Sequence, residues 1–187
     1  MLPITIVITD GFSDWEIAPL SGLGRAFFGA PIHFASPEGG ALRSAAGLPI
    51  ADTARFQAPD RGVVVVCGGP ALEQGESVVL TRQLQAAHAQ GSVIAGICGG
   101  TLALAHAGLL QHVQHTSNAP GYLDQHAPAY SGTVRYVDQP QAVRDGAIIT
   151  APAPAPASFA VEVLAAAGGD RTAVSVIQQL LAREHLG

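Results

Sequence analysis

The chain contains no lysine: all nine basic residues among its 187 are arginines. Schiff-base catalysis, a pyridoxal-phosphate site and a Walker P-loop each need that amine and are excluded. The nine arginines face fourteen acidic residues, for a net charge of -5, and form no cluster. That leaves no electrostatic footprint for nucleic acid. Cysteine is scarce too, and two thiols are too few for a disulfide scaffold. With no HExxH motif and no cysteine-rich ligand set, no metal or other cofactor is expected. No apolar run reaches the length of about 18 residues that spans a bilayer. The Ala-rich stretch 151–169 is broken by three prolines and Glu162. The N-terminus lacks a basic n-region and reads as a buried strand rather than a secretion signal, which points to a reducing cytoplasm.

What is present is 48% hydrophobic, with 22 Gly and 13 Pro. That is too apolar for disorder and too punctuated for a coiled coil. The length suits a single domain over residues 1–187. Residues 4–9 are β-branched throughout and end in Asp10-Gly11, a strand closed by a turn. Ser13 or Asp14 can cap a helix over 14–28, and Ile32–Ala35 is extended again. A Gly-punctuated stretch over 40–56 can hold a hairpin. Val63–Cys67 is the clearest strand, and 77–90 has helical periodicity at Val78, Leu80 or Thr81, Leu84 and Ala87. Val93–Ile97 is the next strand, leading through Cys98 into a helix that Gly108 can cap. Thr133–Val137 and Ala147–Thr150 read as two more strands, and Ser158–Ala167 and Thr172–Arg183 as closing helices. The alternating Ala-Pro piece 151–157 reads as a stiff extended connection. Strands buried on both faces and alternating with helices predict an α/β fold with a mainly parallel sheet.

The segment Ala95-Gly96-Ile97-Cys98-Gly99-Gly100-Thr101 carries the strongest chemical signal. A strand turning sharply into a helix, with a nucleophile at the apex and small residues around it, is a nucleophile elbow. The helix N-terminus behind Cys98 predicts a lowered thiol pKa and a place for an oxyanion. A plain buried cysteine is the alternative.

With its first strand, the Gly11–Glu16 segment, the Val-rich strand ending at Gly68-Gly69, the Cys98 elbow and the Gly146–Thr150 strand, the chain resembles the DJ-1/ThiJ/PfpI superfamily over essentially its whole length. These proteins are related to class I glutamine amidotransferases. The resemblance implies a flavodoxin-like three-layer α/β/α sandwich, a homodimer, and a pocket at the elbow cysteine. It also implies that Glu16 approaches the Cys98 sulfur, where a protonated carboxyl donates a hydrogen bond or shuttles the proton. Otherwise Glu16 merely complements the helix dipole. The resemblance assigns Gly68 and Gly69 to the turn whose amide faces the cysteine, where with the amide of Gly99 it would make an oxyanion hole; otherwise this is a tight turn that needs glycine.

One departure bears on mechanism. Relatives place a histidine directly after the cysteine or in a later strand; here Gly99 follows Cys98, and Asn118 aligns with the later position. His115 lies three residues earlier, where strand alternation turns it to the opposite side. A one-residue slip makes His115 the base, so both are site candidates. His106 can share a helix face with Cys98 or simply pack, and His33, His88, His112, His126 and His185 read as surface or structural. Tyr122, Tyr130 and Tyr136 can wall the pocket or fill the core; Trp15 reads as packing and Asp14 as a cap or rim charge. Cys67 is a resolving thiol or a core residue.

The superfamily includes glyoxalases, proposed deglycases, isonitrile hydratases, peptidases, chaperones and redox sensors. The expectation is a cofactor-free, Cys98-dependent, stress-related protein acting on a small electrophile such as an α-oxoaldehyde. The rival is a non-catalytic sensor in which Cys98 is oxidised. Isonitrile hydration, peptidase and amidotransferase chemistry rank below these.

Overall fold

The β-branched runs assemble into a seven-stranded sheet in the computed structural model, which describes residues 1–75 and 77–183. His185 lies outside the described residues. In chain order the strands are β1 (Ile4–Val7), β2 (Ile32–Ser36), β3 (Leu42–Arg43), β4 (Pro49–Ile50), β5 (Ala54–Arg55), β6 (Val63–Val66), β7 (Val93–Ile97), β8 (Val143–Asp145) and β9 (Ile148–Ala151). The sheet order is β5-β2-β1-β6-β7-β9-β8, with only β8 antiparallel, and β3 and β4 form the separate hairpin expected within 40–56. Parallel neighbours need crossovers, and helices supply them on both faces. These are α1 (Asp14–Ala18), α2 (Gly24–Phe28), α3 (Pro70–Glu73), α4 (Val78–Ala89), α5 (Gly100–His106), α6 (Tyr122–His126), α7 (Pro156–Ala166), α8 (Arg171–Val174) and α9 (Val176–Ala182).

The period of two in β6 builds both cores. Val63, Val65 and Cys67 join Ile17, Leu20, Phe159 and Leu164 on one face. Val64 and Val66 join Leu80, Leu84, Leu102 and Leu104 on the other. The result is a flavodoxin-like three-layer sandwich. Its strand order reverses between β1 and β6, and the carboxyl ends at such a switch point are where α/β sheets bind ligands. Glu16, Gly68 and Cys98 follow β1, β6 and β7, so they meet at that edge.

Several expected elements take another form. Thr133–Val137 is not a strand: Thr133–Arg135 is a 3-10 turn, Val134 is 90% exposed, and one isolated bridge, His115–Tyr136, is all the pairing there. Without a neighbouring edge or a core to face, its β propensity has nothing to act on. The helix over 14–28 passes through a π segment, Pro19–Leu23, because Pro19 has no N–H to give to the helical ladder. Residues 152–155 turn instead of running straight, and α7 starts at Pro156, where a missing N–H costs nothing. The last helix divides at Ser175, the cap between α8 and α9. The edge strand β8 went unpredicted, since Val143-Arg144-Asp145 carries little β signal.

Thr150 in β9 anchors the segment that approaches the site, accepting the Thr116 N–H at 2.8 Å with both residues buried. Thr150→Val keeps the volume but strands that N–H. A loss of about 1–3 kcal/mol is expected, read as a lower urea midpoint at constant m-value. An unchanged midpoint would mean the bond holds nothing.

Candidate active site around Cys98

Cys98 sits at the apex between β7 and α5 with φ 55, and it is the single non-glycine residue with positive φ among the described residues. The turn requires small neighbours. A Cβ on Gly100 would lie 2.1 Å from the Val66 carbonyl oxygen, and one on Gly96 would lie 2.9 Å from the Gly100 oxygen. Thr101 then ties off the turn, its hydroxyl donating to the Cys98 carbonyl at 2.6 Å. That proton being used, Ser117 Oγ donates to Thr101 Oγ1, also at 2.6 Å.

Glu16, 0% exposed on α1, brings its carboxyl to the same point. The Gly68 N–H donates to Glu16 Oε2 at 2.8 Å, and Oε1 has no hydrogen-bond partner among the described residues. Gly68 makes the approach possible. A Cβ there would meet Glu16 Oε2 at 2.6 Å and Cys98 Cβ at 2.8 Å. Burial pushes the Glu16 carboxyl above its ordinary value. Burial, followed by the Glu16 charge, pushes the Cys98 thiol up to about 11, against the pull of the Asn118 amide and the Gly99 N–H. This corrects the lowered thiol expected from the helix N-terminus: α5 is short, and at a buried apex desolvation and a facing carboxylate outweigh its dipole. The two groups therefore compete for one negative charge. With the proton on Glu16, the carboxylate no longer opposes the thiolate.

The raised Glu16 value is also a statement about stability. The folded chain holds a proton that the unfolded chain releases, so this stabilisation is complete below the unfolded value of 4.5 and is lost as pH rises through the folded value. Glu16→Gln should therefore melt at or above wild type at pH 8, and the difference should shrink toward pH 5. A variant that melts lower at pH 8 would contradict the burial penalty.

Asn118 supplies the third contact. Its Nδ2 donates to Cys98 Sγ at 3.3 Å, while its Oδ1 accepts the Ala153 N–H at 3.1 Å from the turn after β9. Because a backbone N–H can only donate, the amide's orientation is fixed. His115 does not reach Cys98. It is buried, with Nδ1 2.8 Å from the Val113 oxygen and Nε2 2.6 Å from the Tyr130 hydroxyl. The carbonyl requires Nδ1 to carry the hydrogen, so Nε2 accepts from Tyr130. Burial also holds its pKa below the ordinary value. His115 as the base for Cys98 is thus set aside by geometry.

The DJ-1/PfpI family profile matches residues 3–166. The chain belongs to the DJ-1/PfpI family. A DJ-1 superfamily protein of Agrobacterium tumefaciens is 35% identical, with a TM-score of 0.90 and coverage of 99% of this chain and 100% of that one. Drosophila melanogaster DJ-1beta is 26% identical, at TM-score 0.71, with coverage of 96% and 97%. An uncharacterized protease of Bacillus subtilis, YoaZ, is 47% identical over 74 residues, 40% of this chain and 35% of that protein. The match thus spans about a third of the length of that curated relative.

Around this DJ-1/PfpI elbow, Gly99 opens the turn into α5, directly after Cys98. The Gly69 nitrogen lies 3.4 Å from where a Gly99 Cβ would stand, so both amides border one small space. Cys67 is buried beneath, its Sγ 3.4 Å from the Ser13 oxygen and 3.7 Å from Glu16 Oε2, so it packs and shares the carboxyl. His106 is partly buried, while His33, His88, His112 and His126 are exposed. Asp14 pins the β3–β4 turn by accepting the Ala46 N–H at 2.8 Å. Trp15 is exposed rather than packed. Tyr130 and Tyr136 buttress the 115–117 segment, whereas Tyr122 donates to Glu73 at 2.7 Å. Sequence reasoning missed Glu73. Its only signal, an acidic residue in the first turn of a helix, is equally well explained by the helix dipole.

Proposed function

We propose that the protein uses Cys98 to convert small α-oxoaldehydes such as methylglyoxal into α-hydroxy acids, with no metal or other cofactor. The observation that carries this is the Glu16 carboxyl, fully buried, one oxygen without a hydrogen-bond partner among the described residues, converging with Cys98 on the point that a Gly68 Cβ would occupy. A raised carboxyl facing a thiol can give and retake a proton in one reaction. Cys98 sulfur adds to the aldehyde carbon, and the carbonyl electron pair moves to oxygen between the Gly69 and Gly99 amides. Glu16 protonates that oxygen. The resulting Glu16 carboxylate then removes the hydrogen from the same carbon, giving an enediol, and a proton returns to the neighbouring carbon. The product is a thioester; water adds to it and the carbon–sulfur bond breaks, releasing the hydroxy acid and the thiol. Asn118 orients the sulfur and takes no proton.

Competitive labelling tests this reading. Iodoacetamide should modify Cys98 and spare Cys67, whose thiol burial pushes far above the ordinary range. Methylglyoxal should slow the Cys98 reaction by occupying the sulfur. Equal labelling of both thiols, or no protection by the aldehyde, counts against it.

A second reading is favoured by one observation: among the described residues, no imidazole hydrogen-bonds the Cys98 sulfur. Oxidation by peroxide needs a thiolate and no turnover machinery, and a protonated Glu16 could hydrogen-bond the sulfinate that forms. Peptide hydrolysis, suggested by the name of the Bacillus relative, and isonitrile hydration fit less well, since both call for a base at the sulfur. We propose further a homodimer in a reducing cytoplasm. Supporting it is an apolar cleft bordered by Ile17, Ile50 and the exposed Phe34 and Leu48. Light scattering giving 19.0 kDa would rule the dimer out.

A further inference from the structure

Asn118 reaches the Cys98 sulfur from a stretch that no secondary structure holds in place. Thr116, Ser117 and Asn118 lie in no helix or strand, and the isolated bridge His115–Tyr136 ends just before them. Side chains must therefore set this segment against the elbow. Ser117 sits where they meet, 2% exposed and bonded at two points. Its carbonyl accepts the Tyr136 hydroxyl at 3.1 Å. Its Oγ donates to Thr101 Oγ1 at 2.6 Å, and Thr101, also buried, donates to the Cys98 carbonyl at 2.6 Å.

These bonds close a ring. From the Cys98 carbonyl they run through Thr101 to Ser117; from the residue after Ser117, Asn118 Nδ2 returns to Cys98 Sγ at 3.3 Å. The direction of each bond is forced. A carbonyl only accepts, so Thr101 spends its one hydroxyl proton on Cys98, and Ser117 must supply the proton between the two hydroxyls. An alanine at 117 would leave the Thr101–Cys98 bond intact and cut only the link to the Asn118 segment. The Ala153 N–H orients the Asn118 amide through Oδ1, while the bonds of Ser117 hold the backbone from which that amide hangs.

We propose that Ser117 is a positioning residue: its hydroxyl and carbonyl lock the segment to the elbow, so that the Asn118 amide stays on the Cys98 sulfur. Ser117 acts through Asn118, and Tyr136 secures it from the other end. The inference rests on the Cys98-centred reading above and deepens it by naming what keeps the amide donor of the sulfur in place.

The test is the rate of Cys98 alkylation by iodoacetamide at pH 8 in the full chain, resolved from Cys67 by peptide mass spectrometry. At that pH, far below the thiol's value of about 11, the rate is proportional to the thiolate fraction, so support lost from the sulfur is read directly. Asn118→Ala removes the donor and should slow the reaction about threefold to tenfold, the range for one hydrogen bond. Ser117→Ala should slow it by a similar factor, and Ser117→Thr, which keeps the hydroxyl, should restore most of the rate. Tyr136→Phe frees the Ser117 carbonyl and should slow the rate by a smaller factor, which keeps the test open where a variant at 117 fails to fold. The decisive measurement is Ser117→Ala in the Asn118→Ala background. No further slowing is expected, because the donor that Ser117 holds is already gone. A merely structural role would slow both backgrounds by the same factor, and that result overturns the proposal. A wild-type rate in Asn118→Ala, or in both Ser117→Ala and Tyr136→Phe, overturns it as well. The readout needs no aldehyde, so these outcomes stand apart from the turnover test. If wild-type Cys98 labels no faster than Cys67, the Cys98-centred reading falls first, and this inference with it.

Discussion

Glu16→Gln is expected to lower α-oxoaldehyde turnover by about 10²–10⁴-fold, the range a positioned acid–base group contributes. Glutamine preserves the shape that fits under Gly68 and can still meet the Gly68 N–H, now 2.8 Å from Glu16 Oε2. What it cannot do is hand a proton to the substrate oxygen and take one from the adjacent carbon. The same variant should be no less stable than wild type at pH 8, since it removes a buried charge. Loss of rate with retained or raised melting temperature is the signature of a group kept for chemistry at the expense of stability. Turnover within about tenfold of wild type would show that Glu16 does not carry the proton.

Gly100→Ala should have the largest effect on the fold. Its Cβ would stand 2.1 Å from the Val66 carbonyl oxygen and 2.8 Å from the Val66 carbonyl carbon, and both are backbone of a central strand. No rotamer change relieves that contact. Either β6 shifts, disturbing its ladders with β1 and β7 and the Gly68 turn that follows, or the elbow opens. A destabilisation of about 3 kcal/mol or more is expected, at or beyond the upper end for overpacking, seen as a lower urea midpoint or loss of soluble protein. Gly99→Ala is the control, because its nearest neighbour would be the Gly69 nitrogen at 3.4 Å, an ordinary contact. It should fold normally. A Gly100→Ala variant as stable as Gly99→Ala would remove the steric account of the elbow.

The parts of this molecule written in local pattern were legible from sequence. Five β-branched or apolar runs became β1, β2, β6, β7 and β9; β6 and β9, buried along their whole length, need no alternation and leave the plainest signature. The elbow was legible for a steric reason: Gly96 and Gly100 flank one reactive side chain at positions where a Cβ would strike backbone. The failures fall where the outcome is set by what lies beside a segment in the fold. Thr133–Val137 has strand residues but no edge to pair with, and Val143–Asp145 has poor strand residues but the open edge of β9 beside it. The sign of the Cys98 shift was hidden for the same reason. A helix N-terminus can be read from sequence, but how deeply the apex is buried, and how close a carboxyl comes from α1, cannot. Glu73 and Tyr122 lie far apart in the chain with no shared motif, so only the folded arrangement joins them.

The most direct test of the account is proton NMR of the purified protein with methylglyoxal, in the absence of glutathione and of added metal. Lactate should accumulate with wild type, and Cys98→Ser should reduce it to the level seen without protein. Absence of lactate from the wild-type sample, together with uptake of two oxygens on Cys98 in mild peroxide, would contradict the enzymatic reading and assign Cys98 to oxidation sensing.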